Sequence, residues 1–441
     1  MSNGFFHKFP LFLASLLLAL TPFLFFPFFD EKIAFRAPKE AFSLCMISVI
    51  CGAWGVRRIE EGGWSSEKRF STETLIAFMR TKELTVALLL FCFYIFSSSL
   101  FSVNPEFTAR VSFNVFGFSL FFLFLVSNMR KQSEIAVIKN SLILPAVVMG
   151  IYSIFQYHGH DLLFQPVEPY MKKFLVVSGF IDNPNLFAGY LVGVIPLSLA
   201  GVMAAGNKKK LFFRSTCFVV LVAALLLTNA RTGLLSFFGS MLFFCLMKFA
   251  RSLKKAFVTG MLLLALLSCA FFVTNKYYMA QSRKDIGLTD TSVHVRLLHW
   301  KTAWLMITDS PDSFLFGKGA GSFKLHYLDY RIEALKGQKD RPRFENSHHA
   351  HNEYIQLWAE SGLVGLLLAA SFLFIFFKKV FRTFQNLGRS TTDFTALTGY
   401  LASFLALLIN ALASFPFHIV PSALVAVTTA ALSLSPGEEV P

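Results

Sequence analysis

Long apolar stretches separated by short polar ones organise the chain. A helix that crosses a membrane needs about 20 mostly apolar residues. The pattern predicts twelve such segments, at 9–29, 38–56, 83–101, 109–127, 135–156, 186–205, 211–228, 233–249, 256–274, 353–377, 394–412 and 417–434. Between the ninth and tenth the periodicity changes. Val293, Leu297, Trp300, Trp304 and Ile307 recur at helical spacing within Ser292–Thr308. Ser310–Pro311 ends that helix, and the chain turns at Phe316–Gly317–Lys318–Gly319–Ala320–Gly321. A second amphipathic helix is expected over 322–336, with Phe323, Leu325, Tyr327, Leu328 and Ile332 on its apolar side. Two such helices are suited to lie on the membrane face and roof a cavity. The glycine-rich turn lacks the G-K-[ST] of a phosphate loop and reads as a turn. The expected organisation is spans one to nine within 1–274, a large loop at 275–352, and spans ten to twelve within 353–441. The first apolar run is too long and too rich in Phe and Pro for a cleaved signal peptide.

Composition narrows the class. The 441 residues are 55% hydrophobic and 15% charged, with a mean hydropathy of +0.57, whereas soluble domains carry about 25% charge. Soluble, disordered and disulfide-rich secreted chains are thereby excluded, and an all-α polytopic membrane protein remains. The 54 Phe residues read as lipid-facing surface. The net charge of +15 does not point to nucleic acid, because the basic residues gather in short connections. Arg57, Arg58, Lys68, Arg69, Lys208, Lys209, Lys210, Lys254, Lys255, Lys378 and Lys379 all fall on one side if the chain starts in the cytoplasm. Short cytoplasmic loops attract Lys and Arg, so both termini are expected inside and the long loop outside. The six cysteines lie within the predicted spans without metal or redox spacing.

Polar chemistry concentrates on the expected outer side. Of ten histidines, His294, His299, His326, His348, His349 and His351 occupy the long loop, and histidine is the side chain best suited to move protons near neutral pH. Arg231 sits in the short connector Thr228–Asn229–Ala230–Arg231–Thr232–Gly233. A guanidinium so near hydrocarbon is costly without an anionic partner, and its planar fork suits phosphate. Snorkelling to lipid headgroups is the plainer reading. Asn183 and Asn185 flank Pro184 before the sixth span, a pattern that caps a helix and also shapes a polar pocket. The densest cluster is Asn346–Ser347–His348–His349–Ala350–His351–Asn352–Glu353, followed within the tenth span by Glu360. No array of ligands at metal spacing accompanies it, and neither metal nor cofactor is expected.

His351–Asn352, nine residues, Gly362, two residues and Gly365 resemble the signature of the superfamily of O-antigen ligases and O-antigen polymerases, which includes bacterial O-linked oligosaccharyltransferases. Gly179–Phe180 with Asn183–Pro184–Asn185, Ala230–Arg231–Thr232–Gly233 at a hairpin, and His294–Val295–Arg296 with Trp300 extend the likeness over roughly 175–375. The resemblance implies a type C glycosyltransferase fold in the bacterial inner membrane, with its active face in the periplasm. It implies transfer of a glycan from undecaprenyl diphosphate to an acceptor, without metal and with inversion.

Carried onto this chain, the resemblance makes His351 the base and Arg231 and Arg296 the diphosphate ligands. Asn352, Asn183, Asn185, His349, Lys39 and Glu360 would support them. The first reading is O-antigen ligase, with lipid A core or another surface molecule as acceptor. O-antigen polymerase and O-linked oligosaccharyltransferase stay open beside it. A non-catalytic flippase is the rival from another class, and it would want charges along a central path and symmetric halves.

Overall fold

The computed structural model describes residues 3–26, 31–62, 72–161, 177–181, 183–249, 291–336, 347–387 and 391–435. Their regular structure is all helical, in the order α1 Asn3–Leu20, α2 Glu31–Gly62, α3 Thr72–Ser97, α4 Pro105–Asn128, α5 Gln132–Tyr157, α6 Pro184–Met203, α7 Lys208–Leu227, α8 Arg231–Phe249, α9 Thr291–Ile307, α10 Pro311–Phe316, α11 Phe323–Ala334, α12 Glu353–Asn386, α13 Thr392–Asn410 and α14 Val420–Leu434. Among them nine helices are long and apolar enough to cross a membrane, and Lys8–Phe23 and Val420–Leu434 are shorter apolar helices. The predicted span at 256–274 lies outside the described residues. The two loop helices expected at 292–308 and 322–336 appear as α9 and α11. The turn between them adds the short α10, whose N-terminus the Ser310 side chain caps by accepting from Ser313 N.

Small residues let the central helices approach closely, as membrane helices require when no hydrophobic effect drives them together. A Cβ on Gly233 of α8 would stand 2.7 Å from the Ala188 Cβ of α6. In α13, Asn410 donates to Ser236 Oγ of α8 at 3.3 Å. The next residue, Ala411, accepts from Glu353 N of α12 at 2.9 Å. The starts of α6, α8 and α12 and the end of α13 therefore meet at one end of the bundle. Lys39 of α2 joins that end, donating to the carbonyl of Phe180 at 3.0 Å.

One feature of α12 shapes this end. The helix is broken at Gly362, which takes φ +65° and ψ −174°. The turn between α10 and α11 plugs the break. Lys318 N donates to Ala359 O at 3.2 Å and Gly319 N to Glu360 O at 2.8 Å. The Tyr94 hydroxyl of α3 donates to the Ser361 carbonyl at 2.8 Å and to the Phe316 carbonyl at 3.1 Å. Backbone groups freed inside apolar surroundings must find partners, and here the loop supplies them. Trp358 Nε1–H donates to Phe314 O at 3.2 Å, and Lys301 Nζ donates to Ala334 O at 2.7 Å. The loop helices are thus fastened to α12 and to each other.

Candidate functional site

His351 lies just before α12 in a left-handed conformation, φ +54°. Such a backbone is uncommon for a residue with a side chain and is worth about 1–2 kcal/mol of strain. The next residue fixes the entry to the helix: Asn352 Oδ1 accepts from Tyr354 N at 3.0 Å and Ile355 N at 3.1 Å. The His351 ring is half-buried, nearly parallel to His299 of α9 (11°, centroids 5.4 Å apart) and edge-on to Phe415 at 4.9 Å.

Burial, reinforced by the positive charges of Arg296 and Arg36, lowers the His351 pKa to about 4. The imidazole is therefore neutral at physiological pH and has a lone pair to offer.

Phe415 is the hub of the cluster. His349 stacks on it at 4.2 Å, and the Arg36 guanidinium of α2 lies 5.9 Å from its centroid. His418 follows in the short turn Pro416–His418, with its ring 4.6 Å from His349. Its Nδ1 pairs with Glu353 Oε2 at 2.9 Å. Burial opposes charge on His418, but the Glu353 carboxylate outweighs it, and its pKa rises to about 9. His349 has no such partner carboxylate, and burial, with His418 and Arg36 adding to it, holds it well below its ordinary value. The His418–Glu353 pair therefore stabilises the fold fully below about pH 6.5, the unfolded pKa, and the contribution is lost as pH rises through about 9. The melting temperature of the detergent-solubilised protein should fall over that window. Glu353→Gln should flatten the dependence.

A cavity of about 720 Å³ runs between α2, α3, α4, α12 and α14. Its walls are mostly apolar, with Phe91, Phe118, Phe122, Leu373 and Val427 among them. Its polar groups include Arg36, Lys39, Lys324, His349, His418 and Glu360. The turn and α11 contribute Ala320, Gly321 and Lys324 to its wall. Glu360 is held by three donors: Gly321 N at 2.8 Å, Phe323 N at 3.3 Å and Gln356 Nε2 at 3.0 Å.

The residues singled out in the sequence divide into groups. Lys39, His349 and Glu360 line the cavity. His351 and Asn352 stand beside it, across Phe415 and the start of α12. Asn183 caps α6 by accepting from Asn185 N at 2.8 Å, so this pair has a structural role. Arg231 is the exposed first residue of α8, entered through Asn229 at φ +53°. It is on the same end of the bundle but is not a lining residue of the cavity, and neither are Arg296 and His351. The side chain of His294 lies outside the described residues.

Arg36, Phe415 and His418 escaped sequence reasoning, and His299 figured only as one of the loop histidines. Arg36 falls at the ragged edge of a span, and Phe415 is one Phe among 54. His299 sits one helical turn after Arg296, the sequence feature that relates it to a charged site residue.

Residues 216–370 match the family described as O-antigen ligase. That stretch holds Arg231, Arg296, His299, His351, Asn352 and Glu360, while the Gly179–Phe180 and Asn183–Pro184–Asn185 motifs lie before it. A protein of Rickettsia typhi bearing the name "Putative polysaccharide ligase" is 25% identical over 301 residues, covering 66% of this chain and 67% of its own length. One of Rickettsia prowazekii with the same description is 25% identical over 303 residues, at the same coverage. Arg36, Phe415 and His418 lie outside the matched family stretch.

Proposed function

We propose that this chain is a membrane glycosyltransferase that moves a glycan from undecaprenyl diphosphate to an acceptor hydroxyl, acting as a polysaccharide ligase. The observation that carries the reading is the cluster at one end of the bundle. There a neutral imidazole, His351, shares Phe415 with the Arg36 guanidinium, beside a cavity with apolar walls.

The chemistry needs each part. The acceptor oxygen attacks the anomeric carbon, the bond from that carbon to the diphosphate oxygen breaks, and the diphosphate leaves with the electron pair. Attack from the face opposite the leaving group inverts the centre. His351 takes the hydroxyl proton, the work of a general base. Arg296 and Arg36 supply fixed positive charge near His351, and fixed charge facing a developing anion is the strongest aid a site offers. Arg231, at the positively polarised start of α8, binds the same diphosphate. The cavity holds the polyprenyl chain between the spans. The acceptor is lipid A core or another surface molecule, and the loop end of the bundle faces the periplasm with both termini in the cytoplasm.

Deleting the gene and resolving surface glycolipids on a gel tests the reading. Loss of the long-chain ladder over an intact core supports ligation to lipid. A core capped with a single repeat means polymerisation, and unchanged lipid with altered glycoproteins means transfer to protein. Unchanged lipid and protein glycans sink the proposal.

Arg231→Ala should weaken donor binding by about 10-fold or more, the range of a lost charge-assisted contact. Arg231→Lys should weaken it less, because a point charge survives. Equal and mild effects of both in a donor titration would leave Arg231 to the lipid headgroups.

A further inference from the structure

We infer that His299 is a positioning residue for His351, its ring fixing the plane of the His351 imidazole so that the lone pair meets the acceptor hydroxyl in one orientation. The inference rests on the reading of His351 as the base.

His351 has little of its own to hold it. It precedes α12, its backbone is left-handed, and among the described residues its ring packs against His299 and Phe415. Phe415 meets it edge-on at 4.9 Å and sets one side. His299 lies nearly parallel, 11° away, and sets its tilt. His299 itself is anchored by burial and by a buried tyrosine. It is buried at 4% exposure. Its Nδ1 is 2.7 Å from the Tyr327 hydroxyl of α11. Tyr327 is fully buried in turn, with Phe323 at 5.5 Å and the Arg331 guanidinium 5.6 Å from its ring centroid. The line runs Tyr327, His299, His351, Phe415, from the loop helices to the bundle. A base needs its ring held to within a fraction of an ångström, and a misplacement of 1 Å costs about 100-fold.

The charged groups around the pair all favour neutral rings. Arg296 on α9 and Arg331 on α11 act on His299, and Arg296 and Arg36 of α2 act on His351. His349 and the charged His418 stand beyond Phe415. Burial first, then His351, Arg331 and Arg296, hold His299 at about 3. At neutral pH His299 is therefore neutral and serves as a stacking surface. It does not compete for the proton.

The test uses the full chain in detergent. The donor is the lipid-linked glycan that accumulates in cells deleted for the gene, and the acceptor comes from membranes of the same cells. His299→Ala should lower turnover by about 10- to 100-fold while donor KM stays within about twofold. His299→Phe keeps a stacking ring and should restore turnover to within about fivefold, and Tyr327→Phe should cost about 3- to 10-fold. Because water then reaches the His351 ring, the acid limb of kcat/KM should move to higher pH in His299→Ala and not in His299→Phe. In a His351→Ala background, His299→Ala should add no further loss, since residues acting as a unit are non-additive.

Unchanged turnover in His299→Ala overturns the inference. So does a loss that follows donor KM or the active fraction with the acid limb unmoved, or a further loss on top of His351→Ala. Full activity in His351→Ala removes the base itself, an outcome separate from any result at position 299.

Discussion

Replacing His351 with alanine should lower glycan transfer by about 100- to 10,000-fold, the span that a positioned general base contributes, while the protein still inserts. The choice of substitute matters, because position 351 has φ +54°. Alanine is strained there, whereas asparagine tolerates left-handed backbone better than other residues with side chains. His351→Asn should therefore match His351→Ala in lost turnover and exceed it in thermal stability. Activity near normal in either variant would take the base role away from His351.

The pH profile supplies a second signature. Burial and the charges of Arg296 and Arg36 hold the free imidazole near pH 4. The acid limb of kcat/KM reports the free enzyme, so it should stay flat down to about pH 5. A bound diphosphate brings negative charge that offsets the two guanidiniums and strengthens the base. The limb in kcat, which reports the enzyme with substrate bound, should lie at higher pH. Coincident limbs would mean that no anion binds near Arg296 and Arg36.

How far the sequence led depends on the kind of information each feature needs. The apolar runs were legible because hydrocarbon leaves only one economical backbone for a single segment: among the described residues nine of the predicted runs fall on helices long and apolar enough to cross a membrane, and the first and last fall on the shorter Lys8–Phe23 and Val420–Leu434. The loop helices were legible from the spacing of Trp300, Trp304 and their neighbours. The cluster around Phe415 was not. It joins α2, the segment before α12 and the turn after α13, and no spacing rule relates positions 36, 351 and 415. The His351–Asn352 motif pointed to His351 without its surroundings: neither the parallel His299 ring nor the ion pair of His418 with Glu353 leaves a local pattern. Glu360 showed the opposite limit. Its place in an apolar helix marked it as a functional suspect, and the structure gives its carboxylate three donors, two of them backbone N–H groups of the loop.

The same motif includes two glycines, and Gly362 is the one wedged against the backbone of another helix. A Cβ at Gly362 would lie 2.3 Å from the Leu315 carbonyl carbon and oxygen and 2.4 Å from Phe316 N. Those are backbone atoms, which cannot swing aside. The position also has φ +65°, adding about 1–2 kcal/mol of strain for any side chain. Gly317 makes the reciprocal approach, with a Cβ falling 2.4 Å from the Glu360 carbonyl. Gly362→Ala must therefore push α10 off the break in α12 and strand the carbonyls that Lys318 N and Gly319 N now satisfy. Overpacking costs about 1–3 kcal/mol beyond the backbone strain, together a large part of the 5–15 kcal/mol that folded proteins typically possess. The variant should accumulate poorly in membranes, and what can be extracted should melt many degrees lower on heating and size-exclusion analysis. Gly52→Ala in α2 is the control. Nothing lies within 4 Å of a Cβ built there, so the loss should be small. Equal melting of the Gly362 variant and the native protein would mean that the loop does not wedge into the helix, and the cavity wall built by Gly321 and Lys324 would lose its anchor.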